Sequence, residues 1–308
     1  MILSSGEALI DFVPTPQGDY APCPGGSPYN LAIAAARLGA PTGFLGKISR
    51  DFFGDMLCDR LIQEGVDMNL VRRSERPSTL AFVKIDEEEE PRYAFYTENT
   101  ADRNLVPVDV PPELPKDVEC LEYGSISLLL EPEATTLKEL IRREAGKRAL
   151  SFDPNVRPLM VGDKETFITE MEELASLATV VKVSRADLEW MYPGRSGEET
   201  ATKWLGLGAG VVVMTQGGDG AVLYSPQMKV QVPGYSVEVK DTIGAGDTFH
   251  AALLVRFHQL GILNSHLSSE LTEDMARDAV SFAVKASALN CACKGANPPT
   301  IQQMKASD

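Results

Sequence analysis

Short runs of β-branched and apolar residues recur along the chain, each separated from the next by a stretch of helical period. Residues 149–152 precede a predicted helix over 164–178. Residues 180–183, Val-Val-Lys-Val, follow it, and a predicted helix over 198–207 then leads into Val211-Val212-Val213-Met214. A strand that is apolar at nearly every position must be covered on both faces, which is the pattern of parallel strands joined by crossover helices. The predicted fold is therefore α/β: a doubly wound, mainly parallel sheet flanked by helices. A length of 308 residues suits a single such domain with a small excursion. Two stretches break the alternation. Residues 12–24 carry four prolines, and two β-prone runs at 78–86 and 92–96 surround the acidic tip Glu87-Glu88-Glu89-Glu90-Pro91. Together they predict a small β lid, from about 12–24 and 78–98, over one edge of the sheet. The C-terminal part reads as helices over 247–260 and 276–289, with Phe249, Leu253, Leu254 and Phe257 at helical spacing.

Charge narrows the function. Lys and Arg number 29 against 44 Asp and Glu, a net charge of −15. Such a surface argues against nucleic acid and against an anionic membrane as partners. It leaves room for a phosphorylated small molecule, bound by backbone N–H groups, a few cations and a metal ion. The five Cys form no C-x-x-C pair and read as reduced thiols of a cytosolic protein. His250, His258 and His266 lack the spacing of a helical zinc pair. The first residues carry no basic leader, and the apolar runs fall far short of the ~20 residues that span a bilayer. A cytoplasmic location is expected.

The stretch with most chemical content is Asp241-Thr242-Ile243-Gly244-Ala245-Gly246-Asp247-Thr248-Phe249. Small residues run directly into a helix, whose first turn offers unpaired N–H groups and a partial positive charge. Gly244, Ala245 and Gly246 thus predict an anion hole suited to a transferring phosphoryl group. Asp247 at its lip fits a base that takes a proton from an attacking alcohol. The same residue also fits a simple helix cap. Near the N-terminus, Gly25-Gly26-Ser27-Pro28-Tyr29-Asn30 opens a second helix and places Asn30 on its first turn, and Asp11, at the end of the first predicted strand, can accept two hydroxyl hydrogen bonds.

These two segments resemble the signatures of the ribokinase-like (PfkB) sugar kinases. Gly25, Gly26, Asn30, Gly39, Gly46, Asp51 and Gly54 match the N-terminal one, and residues 241–249 match the C-terminal one. Within the family the chain is most similar to bacterial fructokinases, through Gly6-Glu7-Ala8-Leu9-Ile10-Asp11, Asp153-Pro154-Asn155-Val156-Arg157-Pro158 and Gly295-Ala296-Asn297-Pro298-Pro299. The resemblance implies an ATP-dependent transfer to the primary hydroxyl of D-fructose, with ATP, Mg²⁺ and a monovalent cation such as K⁺ as cofactors. Asp247 would be the general base, with Gly244, Ala245, Gly246 and Arg157 at the transferred phosphate. Asp11, Gly25, Gly26, Asn30 and Arg103 would hold the sugar. Lys182, Ser184, Thr215, Gly217, Gly220, Ala283 and Ser287 would line the nucleotide, and Asp187 would support the metal. His250 is expected to be structural. A homodimer through the lid is expected, because unpaired strand edges seek partners. Another sugar or a sugar acid such as 2-keto-3-deoxygluconate, or a catalytically idle sugar binder, are the competing readings. A nucleotide-binding dehydrogenase or a Walker-type kinase is excluded, since neither G-x-G-x-x-G after the first strand nor G-x-x-x-x-G-K-[ST] occurs.

Overall fold

Gly6, at φ 140°, turns the chain between two strands that the sequence reading joins into one ending at Asp11. The computed structural model describes residues 1–15, 17–84 and 92–306. Strand β1 (Ile2–Ser5) lies in the central sheet, whereas β2 (Leu9–Pro14) already belongs to the lid. Asp11 is thus a lid residue rather than the end of the first strand, and the lid begins earlier than the sequence predicts. β3 (Tyr20–Gly25) pairs antiparallel with β2 and runs into α1 (Ser27–Arg37). Between them Gly26 adopts φ 108°, and a β-carbon there would lie 2.6 Å from the Glu7 carbonyl oxygen, so only glycine fits this close approach.

β4 (Thr42–Ser49), α2 (Phe52–Gln63) and β5 (Val71–Ser74) follow. Asp51 caps α2 by accepting the Gly54 N–H, and its carboxylate also accepts from Ser78 N–H and Oγ, both at 2.8 Å. This ties the root of the lid strand β6 (Thr79–Lys84) to the main body. β7 (Arg92–Tyr96) completes the lid sheet, in the order β3-β2-β6-β7. The acidic tip at 87–91 lies outside the described residues. Then come β8 (Cys120–Gly124), α3 (Glu133–Glu144), β9 (Ala149–Asp153), α4 (Lys164–Leu177), β10 (Val180–Ser184), α5 (Arg185–Met191), α6 (Gly197–Leu207) and β11 (Val211–Thr215). The hairpin β12 (Ala221–Tyr224) and β13 (Lys229–Val232) precedes α7 (Ala245–Gln259), α8 (Leu267–Glu270) and α9 (Glu273–Cys291).

The large sheet has the order β13-β12-β11-β10-β9-β8-β1-β4-β5, parallel except for β12 and β13. Successive residues of a strand face opposite sides. Ile2, Cys120, Ala149, Val180 and Val211 pack under α1, α7 and α9, while Leu3, Leu121, Leu150, Val181 and Val212 pack under α3, α4 and α6. The same parity places Ser4, Glu122, Ser151, Asp153 and Lys182 on the α7 side. The interior of that layer is apolar along its length and polar at the carboxyl ends of the strands, where open α/β sheets bind ligands. In the lid, Leu9 and Ala81 face the main body with Ile126, and Phe12 and Phe82 stack on the other side at 4.6 Å.

Candidate active site

The start of α7 is built to be open. Gly244 takes the left-handed conformation, φ 71°, and a β-carbon there would meet Ala296 at 2.7 Å. Asn290 Nδ2 donates to Ile243 O at 2.8 Å, and Ser287 Oγ donates to Ala245 O at 2.9 Å, fastening this loop to α9. Asp241 accepts from Ile243 N–H and Gly295 N–H at 3.0 and 2.8 Å. The Ala245 N–H turns back to Thr242 O at 3.2 Å. Among the described residues the amides of Gly244, Gly246 and Asp247 have no backbone acceptor, and those of Gly246 and Asp247 lie on the first turn of α7.

Asp247 is buried and both its oxygens are held. Ser27 Oγ donates to Oδ1 at 2.6 Å and Asn30 Nδ2 donates to Oδ2 at 2.9 Å. Burial raises its pKa above the usual carboxylate range, against the lowering effect of Ser27, Asn30 and Lys182. Lys182 rises from β10 on the α7 side and is almost fully buried. Its Nζ donates to Asp153 Oδ2 at 2.7 Å. Burial alone would lower the Lys182 pKa, but Asp153 and Asp187 more than offset it and hold the ammonium charged. A β-carbon on Gly246 would stand 3.0 Å from Lys182 Nζ. A cation and two open amides therefore converge on one spot beside Asp247, the arrangement that stabilises a transferring anion.

A cavity of about 860 Å³ opens from this spot. Arg157, Lys182, Ser184, Asp187, Thr215, Gly217, Gly220, Ala245, Gly246 and Ser287, ten of the residues picked out by sequence, lie on its wall. Ala283 does not: it is fully buried in the core, and Val284 on the next face of α9 takes its place. The wall also holds Tyr235, Val237 and Val239, which sequence reasoning missed: they alternate with polar residues as in a strand, a pattern that says nothing of a ligand, and the structure forms no strand there. Asp187 is buried and already committed. Its Oδ1 accepts Val156 N–H at 2.9 Å, and its Oδ2 accepts Ser184 Oγ at 2.6 Å. Among the described residues no group of three His, Cys, Asp or Glu is placed to hold a metal. A cation here fits only through the phosphates of a bound nucleotide, with Asp187 and Glu189 the carboxylates on the cavity wall.

The sugar-side residues gather at the other end of Asp247. Asp11 reaches Gly25 so closely that a β-carbon there would lie 2.2 Å from its Oδ2. Burial pushes the Asp11 pKa up to about 6, with Arg157 opposing and Asp247 adding to the rise. Asp11, Arg157 and Asp247 thus share one electrostatic neighbourhood. Arg103 is not brought to it: its guanidinium donates to Glu131 O, Thr97 O and the Glu98 carboxylate. The neighbouring Asp102 is buried and accepts from Thr79 rather than pairing with Arg103. His250 is buried, with Nε2 2.6 Å from Ser151 Oγ, and burial holds it neutral, in keeping with a structural role.

The fold and this site define a class. Residues 1–303 match the pfkB family carbohydrate kinases, and the chain belongs to that family. It is 40% identical over 282 residues to the fructokinase of Rhizobium leguminosarum bv. trifolii, covering 90% of this chain and 86% of that one. A fructokinase from Xylella fastidiosa solved with bound ATP superposes with a TM-score of 0.91 at 27% identity, covering 99% of this chain and 97% of that chain. A fructokinase from Vibrio cholerae O395, solved with fructose, ADP and calcium ion bound, superposes with a TM-score of 0.84 at 29% identity, covering 98% and 95%. Among the described residues no helix is long and apolar enough to cross a membrane.

Proposed function

We propose that this protein is an ATP-dependent fructokinase that phosphorylates the primary hydroxyl of D-fructose to give fructose 6-phosphate. The observation that carries the reading is Asp247, a buried carboxylate between the sugar-side cluster and an anion site made of two open amides and Lys182. The fructose hydroxyl oxygen attacks the γ-phosphorus, and the bond from that phosphorus to the β,γ-bridging oxygen breaks. The hydroxyl proton passes to Asp247. In a loose transition state this transfer is late, so a weak but aligned base suffices. Gly246, Asp247 and Lys182 meet the charge on the moving phosphoryl group, with Arg157 on the wall beside them. Asp11, Asn30 and the Gly25-Gly26 backbone hold the remaining hydroxyls.

Mg²⁺ is proposed as the accompanying cation, held by the nucleotide phosphates with Asp187 and Glu189 behind them. It would neutralise charge on the β- and γ-phosphates. A monovalent cation such as K⁺ is proposed as a further requirement. A homodimer through the lid is supported by the exposed aromatic band of Tyr20, Tyr96 and Phe52 around the Phe12–Phe82 stack. A cytoplasmic setting is supported by Cys23, Cys58, Cys120, Cys291 and Cys293, all free thiols. A neutral sugar fits better than a sugar acid, because the carboxylates Asp11 and Asp247 flank the sugar side and Arg103 is spent on Glu98 and two carbonyls. The test is ADP release over a panel of sugars and sugar acids. Fructose is expected to exceed 2-keto-3-deoxygluconate by at least about 10-fold in kcat/KM. Equal or better turnover of the sugar acid refutes the fructose assignment.

A further inference from the structure

Ser27 is the first residue of α1, yet its hydroxyl does not cap that helix. It crosses to α7 and donates to Asp247 Oδ1 at 2.6 Å. Its backbone is fixed from behind: Glu7 Oε1 accepts the Ser27 N–H at 3.2 Å, and Gly26 packs on the Glu7 carbonyl too closely for any β-carbon. The two partners of Asp247 differ in kind. The Asn30 Nδ2 can only donate, so it serves an oxygen with a free lone pair, in the carboxylate or the acid, but never an acid O–H. A hydroxyl both donates and accepts. When the sugar proton arrives on Asp247, an acid O–H replaces a lone pair, and a partner able only to donate has nothing to offer it.

Resting on the kinase reading above, we propose that Ser27 is a positioning residue that holds Asp247 in both protonation states of the cycle, donating to the carboxylate and, by rotating its O–H, accepting from the carboxylic acid. No bond to Ser27 forms or breaks. The proton leaves the sugar hydroxyl and resides on Asp247 until solvent takes it. Glu7 serves by keeping the Ser27 backbone in register. The charged and titratable groups around Asp247 are Lys182 on β10, Asp153 on β9, Glu122 on β8, Asp11 on the lid and His250 on α7 itself. None of them reaches Oδ1 with a group that can both give and take a proton in a hydrogen bond.

The experiment compares Ser27→Ala and Ser27→Thr with the unaltered protein in kcat, fructose KM and the pH profile of kcat/KM, with thermal unfolding to confirm the fold. In Ser27→Ala, kcat is expected to fall about 10-fold while fructose KM stays within about 3-fold. The acid limb moves to higher pH, because the charge-assisted bond that Ser27 gives the carboxylate is stronger than the neutral one it accepts from the acid, and its loss favours the acid. Ser27→Thr keeps the hydroxyl and is expected to restore both readouts. A folded Ser27→Ala protein with the kcat and acid limb of the unaltered protein overturns the proposal. So does equal damage from alanine and threonine, which would assign Ser27 to packing. Should alanine fail to fold, Ser27→Cys, close in shape but a weak donor, replaces it with the same two criteria. Should the unaltered protein phosphorylate no sugar, the kinase reading falls separately. The carboxyl ¹³C titration of Asp247 then decides: a rise in Ser27→Ala supports the proposal, and an unchanged titration overturns it.

Discussion

Replacing Gly246 with alanine should separate stability from catalysis. Gly246 is the second residue of α7 and has an ordinary helical backbone, so alanine meets no conformational strain there. Alanine is favoured over glycine in a helix by up to about 1 kcal/mol. The added methyl, however, would stand 3.0 Å from Lys182 Nζ, inside the roughly 3.5–4.0 Å at which such atoms rest comfortably. Lys182 cannot swing away freely, because its ammonium is buried and bonded to Asp153 at 2.7 Å. The methyl therefore fills the gap in which a phosphoryl oxygen would touch both the ammonium and the open amides. Losing one preorganised donor of this kind costs about 10²–10³ in kcat, or about 2.7–4 kcal/mol of transition-state stabilisation. We expect Gly246→Ala to melt within a few degrees of the unaltered protein and to lose at least about 100-fold in kcat. Thermal unfolding and coupled ADP release measure the two quantities on one sample. A folded variant with kcat within about 3-fold of normal would place the transferred phosphoryl elsewhere.

Asp247→Asn should lower kcat by at least about 100-fold, the lower end of general-base contributions, with ATP affinity nearly unchanged; near-normal single-turnover phosphoryl transfer would remove Asp247 from the chemistry. A pH effect follows from Asp11. When ionised it accepts hydroxyls on both oxygens through stronger, charge-assisted bonds, and burial has pushed its pKa up to about 6. Its protonated fraction therefore grows as pH falls through that value, and fructose KM should climb by up to about tenfold per pH unit below it. The ATP KM should stay flat over the same range, and Asp11→Asn should flatten the fructose curve while raising KM at neutral pH. A fructose KM independent of pH between 5 and 7 would take Asp11 out of sugar binding.

The layered α/β fold was legible because its cause is local. Runs such as Val211–Thr215 cannot be half-exposed strands, so a parallel sheet under helices is the one arrangement that covers them. The start of α7 was legible for the same reason, since two glycines and a following acid report on their own backbone. Strand parity in residues 180–183 likewise separates Lys182 from Val181 and Val183 by the period of two. What Lys182 meets was not legible. Asp153 lies on another strand, and sequence alone is silent on which strands adjoin. The break at Gly6 was missed although Ser4-Ser5-Gly6-Glu7 interrupts the apolar run, because four polar or small residues do not say that the chain changes sheet, so Asp11 was read on the wrong sheet. Arg103 was read as substrate-facing because a surface arginine looks the same whether it is free or bound to Glu98 and Glu131.

Most of all, sequence by itself determined which residues carry chemistry: a carboxylate beyond two glycines, an asparagine on a first helical turn, a lysine within a strand. Only the tertiary structure decided which of them act on one another. Ser27 and Asn30 reach Asp247 across 220 and 217 residues of chain. That meeting depends on α1 packing against α7 over the apolar face of Leu31, Ala34 and Ala35. The contact is made by burial, which is non-directional and shared among many side chains, and so leaves no mark at the few polar positions it brings together.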